Sequence, residues 1–310
     1  MRATTSHFLF AFLASAVFAC GPTPQGGVGG TGGGGTGATG GTGGAPPGGP
    51  APTNLPTARQ TCPNFVNGSM TFLGRSVRVF MNAGSSGGGP VVFYWHGTGS
   101  NPELEVPGGL GPAVQNITNA GGIVAGFVSQ PSLACPGCTG IEQLGTGNGV
   151  WYKKDFETAD EVLACAIQKL RVDTRRLWTA GMSAGGLQAS AMIYERSGYL
   201  AAGISYSGGK IFPMTTQDPN NKLPMVLTHG GTGDTVIVNF KTQSELMANE
   251  LKPLGHFIVM CDHGRGHRIP TEFSSGGWAW HFFNSHPYKV SPEPYAGGLP
   301  SGYPSFCRIW

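Results

Sequence analysis

Arg176-Leu177-Trp178-Thr179-Ala180-Gly181-Met182-Ser183-Ala184-Gly185-Gly186-Leu187 reads as a strand, a sharp turn and the opening of a helix. Arg176–Ala180 has the composition of a buried strand, and Ala184–Glu195 that of a packed helix. Ser183 stands on the turn, with Gly181 and Gly185 two positions to either side so that strand and helix can approach. A serine held there is lifted clear of its neighbours. The next residue, Ala184, presents its backbone N–H at the positive end of the helix, where negative charge is favoured. The same G-x-S-x-G spacing occurs at Gly84-Ser85-Ser86-Gly87-Gly88. That copy lies between two expected strands with no helix after it, so it reads as a loop.

Outward from the turn, short β-rich runs alternate with helical stretches. Strands are expected at Met70–Phe72, Ser76–Met81, Pro90–Trp95, Ile123–Val128, Ala201–Ser205, Met225–Thr228 and His256–Cys261. Helices are expected at Ala113–Asn119, Asp155–Leu170, Asn239–Leu251 and Phe273–Asn284. In the second of these, Phe156, Ala159, Val162, Leu163 and Ile167 share one face, and Asp155 is placed to cap it. The alternation predicts an α/β fold: one mainly parallel central sheet with helices on both faces.

A serine hydroxyl is a weak nucleophile until a histidine base, oriented by a carboxylate, takes its proton. In a strand-turn-helix fold of this order the acid and the base follow the serine. His267, in Asp262-His263-Gly264-Arg265-Gly266-His267, lies just past the last expected strand, and His263 is its rival. Asp234 leaves the strand Met225–Thr228 through His229-Gly230-Gly231-Thr232-Gly233 and is the first choice for the acid, ahead of Asp218 and Asp262. The loop Trp95-His96-Gly97-Thr98-Gly99 after a buried strand suits a second oxyanion donor, the Thr98 N–H first and the Gly97 N–H next. His96 reads as structural. This chemistry calls for no metal and no organic cofactor.

Charge excludes other classes. The chain has 19 Lys and Arg against 16 Asp and Glu; only Arg2 and Arg59 lie in the first sixty residues, which leaves 17 against 16. No basic stripe supports nucleic-acid binding. Sixteen of the 53 glycines fall in residues 21–50, a segment without one charged side chain. Residues 1–20 read as a signal peptide: Arg2, then an apolar run from Phe8 to Ala19, about a dozen residues and too short to span a bilayer. Val17-Phe18-Ala19-Cys20 resembles a bacterial lipoprotein box, with Cys20 as the lipid-bearing residue, while cleavage after Ala19 without lipidation is the other reading. Any membrane contact would come through that anchor. Residues 21–60 are expected to be a flexible Gly/Thr/Pro-rich linker, and residues 61–310 one catalytic domain. In an exported chain the six remaining cysteines, Cys62, Cys135, Cys138, Cys165, Cys261 and Cys307, suggest up to three disulfides. Cys135 and Cys138 form a lone C-x-x-C in a Pro/Gly-rich loop, which suits a disulfide better than a zinc or redox site.

The motifs HGTGSN at 96–101, GMSAGG at 181–186, HGGTGDTVI at 229–237 and GRGH at 264–267 together resemble extracellular esterases of the poly(3-hydroxybutyrate) depolymerase and feruloyl esterase type, in the α/β-hydrolase superfamily. Asp155–Asp160, Val172–Trp178 and Trp278–Phe283 are similar to that group too, so the likeness runs in order over about residues 65–290. It implies an exported serine esterase, secreted or held at the cell surface, with an ester substrate that is polymeric or derived from plant cell walls. Depolymerases that erode solid polyester often carry an additional binding module, and residues 291–310 are too few for one. The group tends to place an aromatic residue near the pocket where Trp151 stands, which gives Trp151 a substrate-facing role or a packing one. Rival readings are a serine peptidase on the same triad and a surface-binding lipoprotein that lost activity. A metal-dependent deacetylase on Asp262, His263 and His267 is a third.

Overall fold

Val91, Phe93 and Trp95 face one side of the sheet, Val92 and Tyr94 the other, and all five side chains are sealed from solvent. A strand apolar on both faces needs a helical layer on each. A computed structural model describes residues 49–134 and 150–310. Among them, nine strands form one sheet: β1 Gly68–Phe72, β2 Arg75–Phe80, β3 Val91–Trp95, β4 Ile123–Phe127, β5 Leu177–Met182, β6 Ala202–Tyr206, β7 Met225–His229, β8 Ile258–Asp262 and β9 Cys307–Ile309. Their order is β1-β2-β4-β3-β5-β6-β7-β8-β9. The run from β4 to β8 is parallel, and β1, β2 and β9 are antiparallel additions at the two edges.

The α-helices among the described residues are α1 Pro102–Leu110, α2 Pro112–Asn119, α3 Pro131–Ala134, α4 Asp155–Leu170, α5 Ala184–Glu195, α6 Phe240–Leu251, α7 Thr271–Ser274 and α8 Trp278–Ser285. Phe156, Val162 and Leu163 of α4, Met192 of α5 and Met247 of α6 pack with Phe93 and Trp95. Val106 and Leu110 of α1, Ile117 of α2 and Phe282 of α8 pack with Val92 and Tyr94 on the opposite face. The parallel strands therefore send all their C-terminal loops to one edge, the usual station for a site in an open α/β sheet.

Several expectations are corrected. Helix α1, PELEVPGGL, was not foreseen, because a proline inside a helix costs about 3 kcal/mol and each glycine about 1. Two features offset this: Asn101 caps the helix by accepting the Leu104 N–H at 3.0 Å, and Val106 and Leu110 are fully buried. Burial of such side chains contributes about 1.5–3 kcal/mol each. The single helix expected over Phe273–Asn284 is two, α7 and α8. Between them a Cβ on Gly276 would stand 2.3 Å from the Glu272 carbonyl oxygen, and Gly277 has φ +80°. Asp155 does not cap α4. Its carboxylate accepts the Tyr152 N–H at 2.5 Å and pairs with the buried Arg75.

The tail of the expected linker is also ordered. The Gly49 N–H bonds the Tyr288 carbonyl at 3.0 Å. Leu55 and Ala58 pack on the core, and the Arg59 and Gln60 N–H groups bond Glu161. Apolar and charged side chains return after residue 50, and they give this segment something to bury and pair. Cys62 is bonded to Cys165 of α4, and Cys261 of β8 to Cys307, directly opposite it on β9. That three-residue edge strand was too short to read. The signal segment, Cys20, the first part of the linker, and Cys135 and Cys138 lie outside the described residues. No helix among the described residues is long and apolar enough to cross a membrane.

Candidate active site

Strand β5 ends at Met182 and α5 begins at Ala184, so Ser183 is the entire turn. Its backbone is at φ 58°, ψ −121°, a conformation that costs about 1–3 kcal/mol and persists only where the surroundings enforce it. Here the Ser183 N–H bonds the Tyr206 carbonyl at 2.9 Å and its carbonyl accepts the Leu187 N–H at 2.9 Å. Helix and strand meet so closely that a Cβ on Gly185 would lie 1.8 Å from the Trp95 carbonyl oxygen. The expected loop at Gly84–Gly88 is indeed a loop, between β2 and β3 at the opposite edge of the sheet from Ser183.

Ser183 Oγ lies 2.8 Å from His267 Nε2, and His267 Nδ1 lies 2.7 Å from Asp234 Oδ1. Asp234 is fully buried and His267 about one quarter exposed. The second Asp234 oxygen accepts the Ser207 hydroxyl and the Gly230 N–H, both at 2.8 Å. Burial by itself pushes the Asp234 carboxyl up, but the hydrogen bonds from His267, Gly230 and Ser207 outweigh it and hold the group below the usual carboxylate value. The Phe240 ring stacks on His267 with centroids 4.8 Å apart. With Asp234 ionised, Nδ1 carries the proton and Nε2 is left to accept one from Ser183.

The rivals point elsewhere. His263 is buried, accepts the Arg265 N–H at its Nδ1 and packs edge-on to Phe306. Asp218 pairs with Lys289, and Asp262 is exposed beside His229. Among the described residues, only Cys62, Glu161 and Cys165 come close enough to share a metal ion, and those cysteines are joined in a disulfide. Asp262, His263 and His267 form no such group.

The loop after β3 is held from two sides. The Gly97 N–H, the second choice as an oxyanion donor, donates to both oxygens of Glu105, at 2.9 and 3.0 Å. Among the described residues the Thr98 N–H has no hydrogen-bond acceptor. His96 is structural: its Nδ1 contacts the Gly97 carbonyl at 2.7 Å, its Nε2 accepts the Ser129 N–H, and burial lowers its pKa. Trp151 has no exposed surface, and its indole N–H donates to the His96 carbonyl at 2.8 Å. Through that bond it supports the loop after β3. Two polar residues of the site, Ser207 and Glu105, were missed. Ser207, with φ 43° at the end of β6, carried a faint signal as a serine closing a buried strand before two glycines. Glu105 carried none, because its segment read as Pro/Gly-rich loop.

No protein-family model and no curated protein matches the chain. Solved structures do. A pOPH variant in complex with DMSO superposes with a TM-score of 0.63 at 18% identity, over 80% of this chain and 95% of that one. Native sOPH gives 0.60 at 19%, over 80% and 97%. A second pOPH variant, in complex with pNPB, gives 0.60 at 18%, over 80% and 96%. At these identities the likeness speaks for the fold, which is that of the α/β-hydrolases.

Proposed function

We propose that the chain is an exported serine carboxylic-ester hydrolase acting through an acyl-enzyme on Ser183. The observation that carries this reading is the continuous hydrogen-bonded line from Ser183 through His267 to the buried Asp234. His267 Nε2 takes the hydroxyl proton as Ser183 Oγ attacks the ester carbonyl. Asp234 keeps the proton on Nδ1 and offsets the charge of the imidazolium that forms. The N–H groups of Thr98 and Ala184 receive the oxyanion. His267 then protonates the leaving alcohol, and a water deprotonated by His267 clears the acyl group. The path assigns no step to a metal or an organic cofactor.

Ester chemistry is favoured over peptide cleavage by the resemblance of the four loop motifs and by the pNPB bound in one neighbour of the same fold. The two disulfides among the described residues suit an oxidising compartment and hence export. Cys20 is proposed as a lipid anchor. Detergent partition of the native protein, lost in Cys20→Ser, tests that point. The substrate class is an ester of a polymeric hydroxyacid or of plant cell walls.

Hydrolysis of pNPB and other short p-nitrophenyl esters, with Ser183 labelled by a fluorophosphonate, is the expected result. Peptide cleavage without ester cleavage would move the site to the peptidases. No labelling and no turnover would leave a binding protein. A panel of 3-hydroxybutyrate oligomers, feruloyl esters and acetylated xylan then ranks the substrates.

A further inference from the structure

Glu105 stands apart from Glu103, the other charged side chain of α1. Glu103 points to solvent, as does Leu104, whereas Glu105 turns inward against the loop after β3. Both its oxygens accept the Gly97 N–H, and Oε1 also accepts the Tyr94 hydroxyl at 3.4 Å. Gly97 lies close to both this carboxylate and the nucleophile. A Cβ built on Gly97 would stand 3.4 Å from Glu105 Oε2 and 3.4 Å from Ser183 Cβ. A carboxylate is a costly group to bury, and the triad already has its acid in Asp234.

Resting on the esterase reading above, we infer that Glu105 is a positioning residue for ester hydrolysis: by claiming the Gly97 N–H, it fixes the loop so that the Thr98 N–H is the donor offered to the oxyanion. Two successive N–H groups on a glycine-containing loop are otherwise interchangeable, and a loop free to offer either offers neither in a fixed place. Saturating the first with a carboxylate removes that choice before substrate arrives. An oxyanion donor acts through being preorganised, so a displaced one loses most of its effect.

The groups facing Glu105 are Tyr94 from β3, Ser100 from its own loop and His267 from the loop after β8. Tyr94 keeps its proton, because burial and the nearby Glu105 push its pKa far up. Desolvation raises the Glu105 carboxyl to about 6, against the hydrogen bonds and the His267 charge that pull it down. Its titration therefore reports on the contact with Gly97.

The test compares Glu105→Ala and Glu105→Gln with the wild type, with rates normalised to the fraction of Ser183 that a fluorophosphonate titrates. Glu105→Ala is expected to lose about 10²-fold in kcat, the scale of one oxyanion donor, with KM within threefold. Glu105→Gln, which keeps an oxygen acceptor for the Gly97 N–H, is expected to recover most of that loss. Equal kcat per titrated site in wild type and Glu105→Ala overturns the proposal, as does a Gln variant as slow as the Ala variant. A second readout does not depend on activity. In protein carrying ¹⁵N-glycine, the Gly97 amide is expected to titrate with a midpoint near the Glu105 pKa in the wild type and not in Glu105→Gln. An amide that does not move with pH overturns the contact itself, whatever the protein's reaction. Conversely, an intact amide titration in a protein that hydrolyses no ester and takes no label would refute the esterase reading alone.

Discussion

The hydroxyl of Ser207 donates to Asp234 Oδ2 at 2.8 Å, on the oxygen opposite the one that faces His267. One carboxylate thereby ties together three loops, from the ends of β6, β7 and β8, and spends both oxygens in doing so. A hydrogen bond to a charged group contributes about 1.5–3 kcal/mol. Ser207→Ala is accordingly expected to lower kcat/KM by roughly tenfold or more. It also removes one of the bonds that hold the Asp234 carboxyl down, so the group's pKa rises and activity fails earlier on acidification. Rate profiles from pH 4 to 8 that superimpose for both proteins would refute this role for Ser207.

The two G-x-S-x-G segments separate cleanly. Ser183→Ala should cut ester hydrolysis by a factor on the order of 10⁶ in kcat, because triad members act as one unit. Ser86→Ala, in an exposed loop at the other edge of the sheet, should leave the rate unchanged. Comparable losses from both would show that the nucleophile has been misassigned.

The base and acid assignments are open to the same kind of comparison. His267→Ala should abolish turnover, while His263→Ala keeps most of the activity of whatever protein folds. Asp234→Asn should fold and lose about 10⁴ in kcat, since an amide cannot hold the imidazole in its working tautomer. Asp262→Asn should be nearly silent. An essential His263 or Asp262, with His267 or Asp234 dispensable, would be the contrary outcome in an assay on pNPB.

Glu105 also leaves a mark on stability. Its folded-state value is raised from 4.5 to about 6, so the folded protein holds the proton more tightly than the unfolded chain. Its favourable contribution is fully present below pH 4.5 and is lost as the pH rises through about 6, a change of about 2 kcal/mol. Glu105→Gln cannot titrate. Its stability relative to wild type should therefore climb between pH 4.5 and 7 and level off above that. His229, His256 and His263, whose pKa values burial lowers, titrate in both proteins and cancel in the difference. Denaturant melts giving a difference that does not vary with pH would show that Glu105 is not held as described.

The parallel layout and the serine turn were legible in the sequence because their causes are local. Val91–Trp95 is apolar without interruption, Ser183 sits between glycines where strand periodicity changes to helical, and Asp234 and His267 follow strands in the order the chemistry needs. The reading was weakest where local preference and burial disagree. PELEVPGGL has the composition of a loop, yet it is helical because Val106 and Leu110 have a core to enter and Asn101 to start them. The break at Gly276 and Gly277 was hidden inside an aromatic run, and Cys307 could be placed opposite Cys261 only once β9 had docked.

The sequence by itself determined which residue types the site would hold and the edge of the sheet where they would gather. It ranked His267 above His263 and the Thr98 N–H above that of Gly97, but each pair lies within a few residues, so nothing local shows what either member meets in space. The tertiary structure gives the second-ranked member of each pair another occupation. His263 is packed against Phe306, and the Gly97 N–H is held by Glu105. A side chain's role depends on which groups are within hydrogen-bond reach, and for residues far apart in the chain that is decided only when the sheet has brought its loops together.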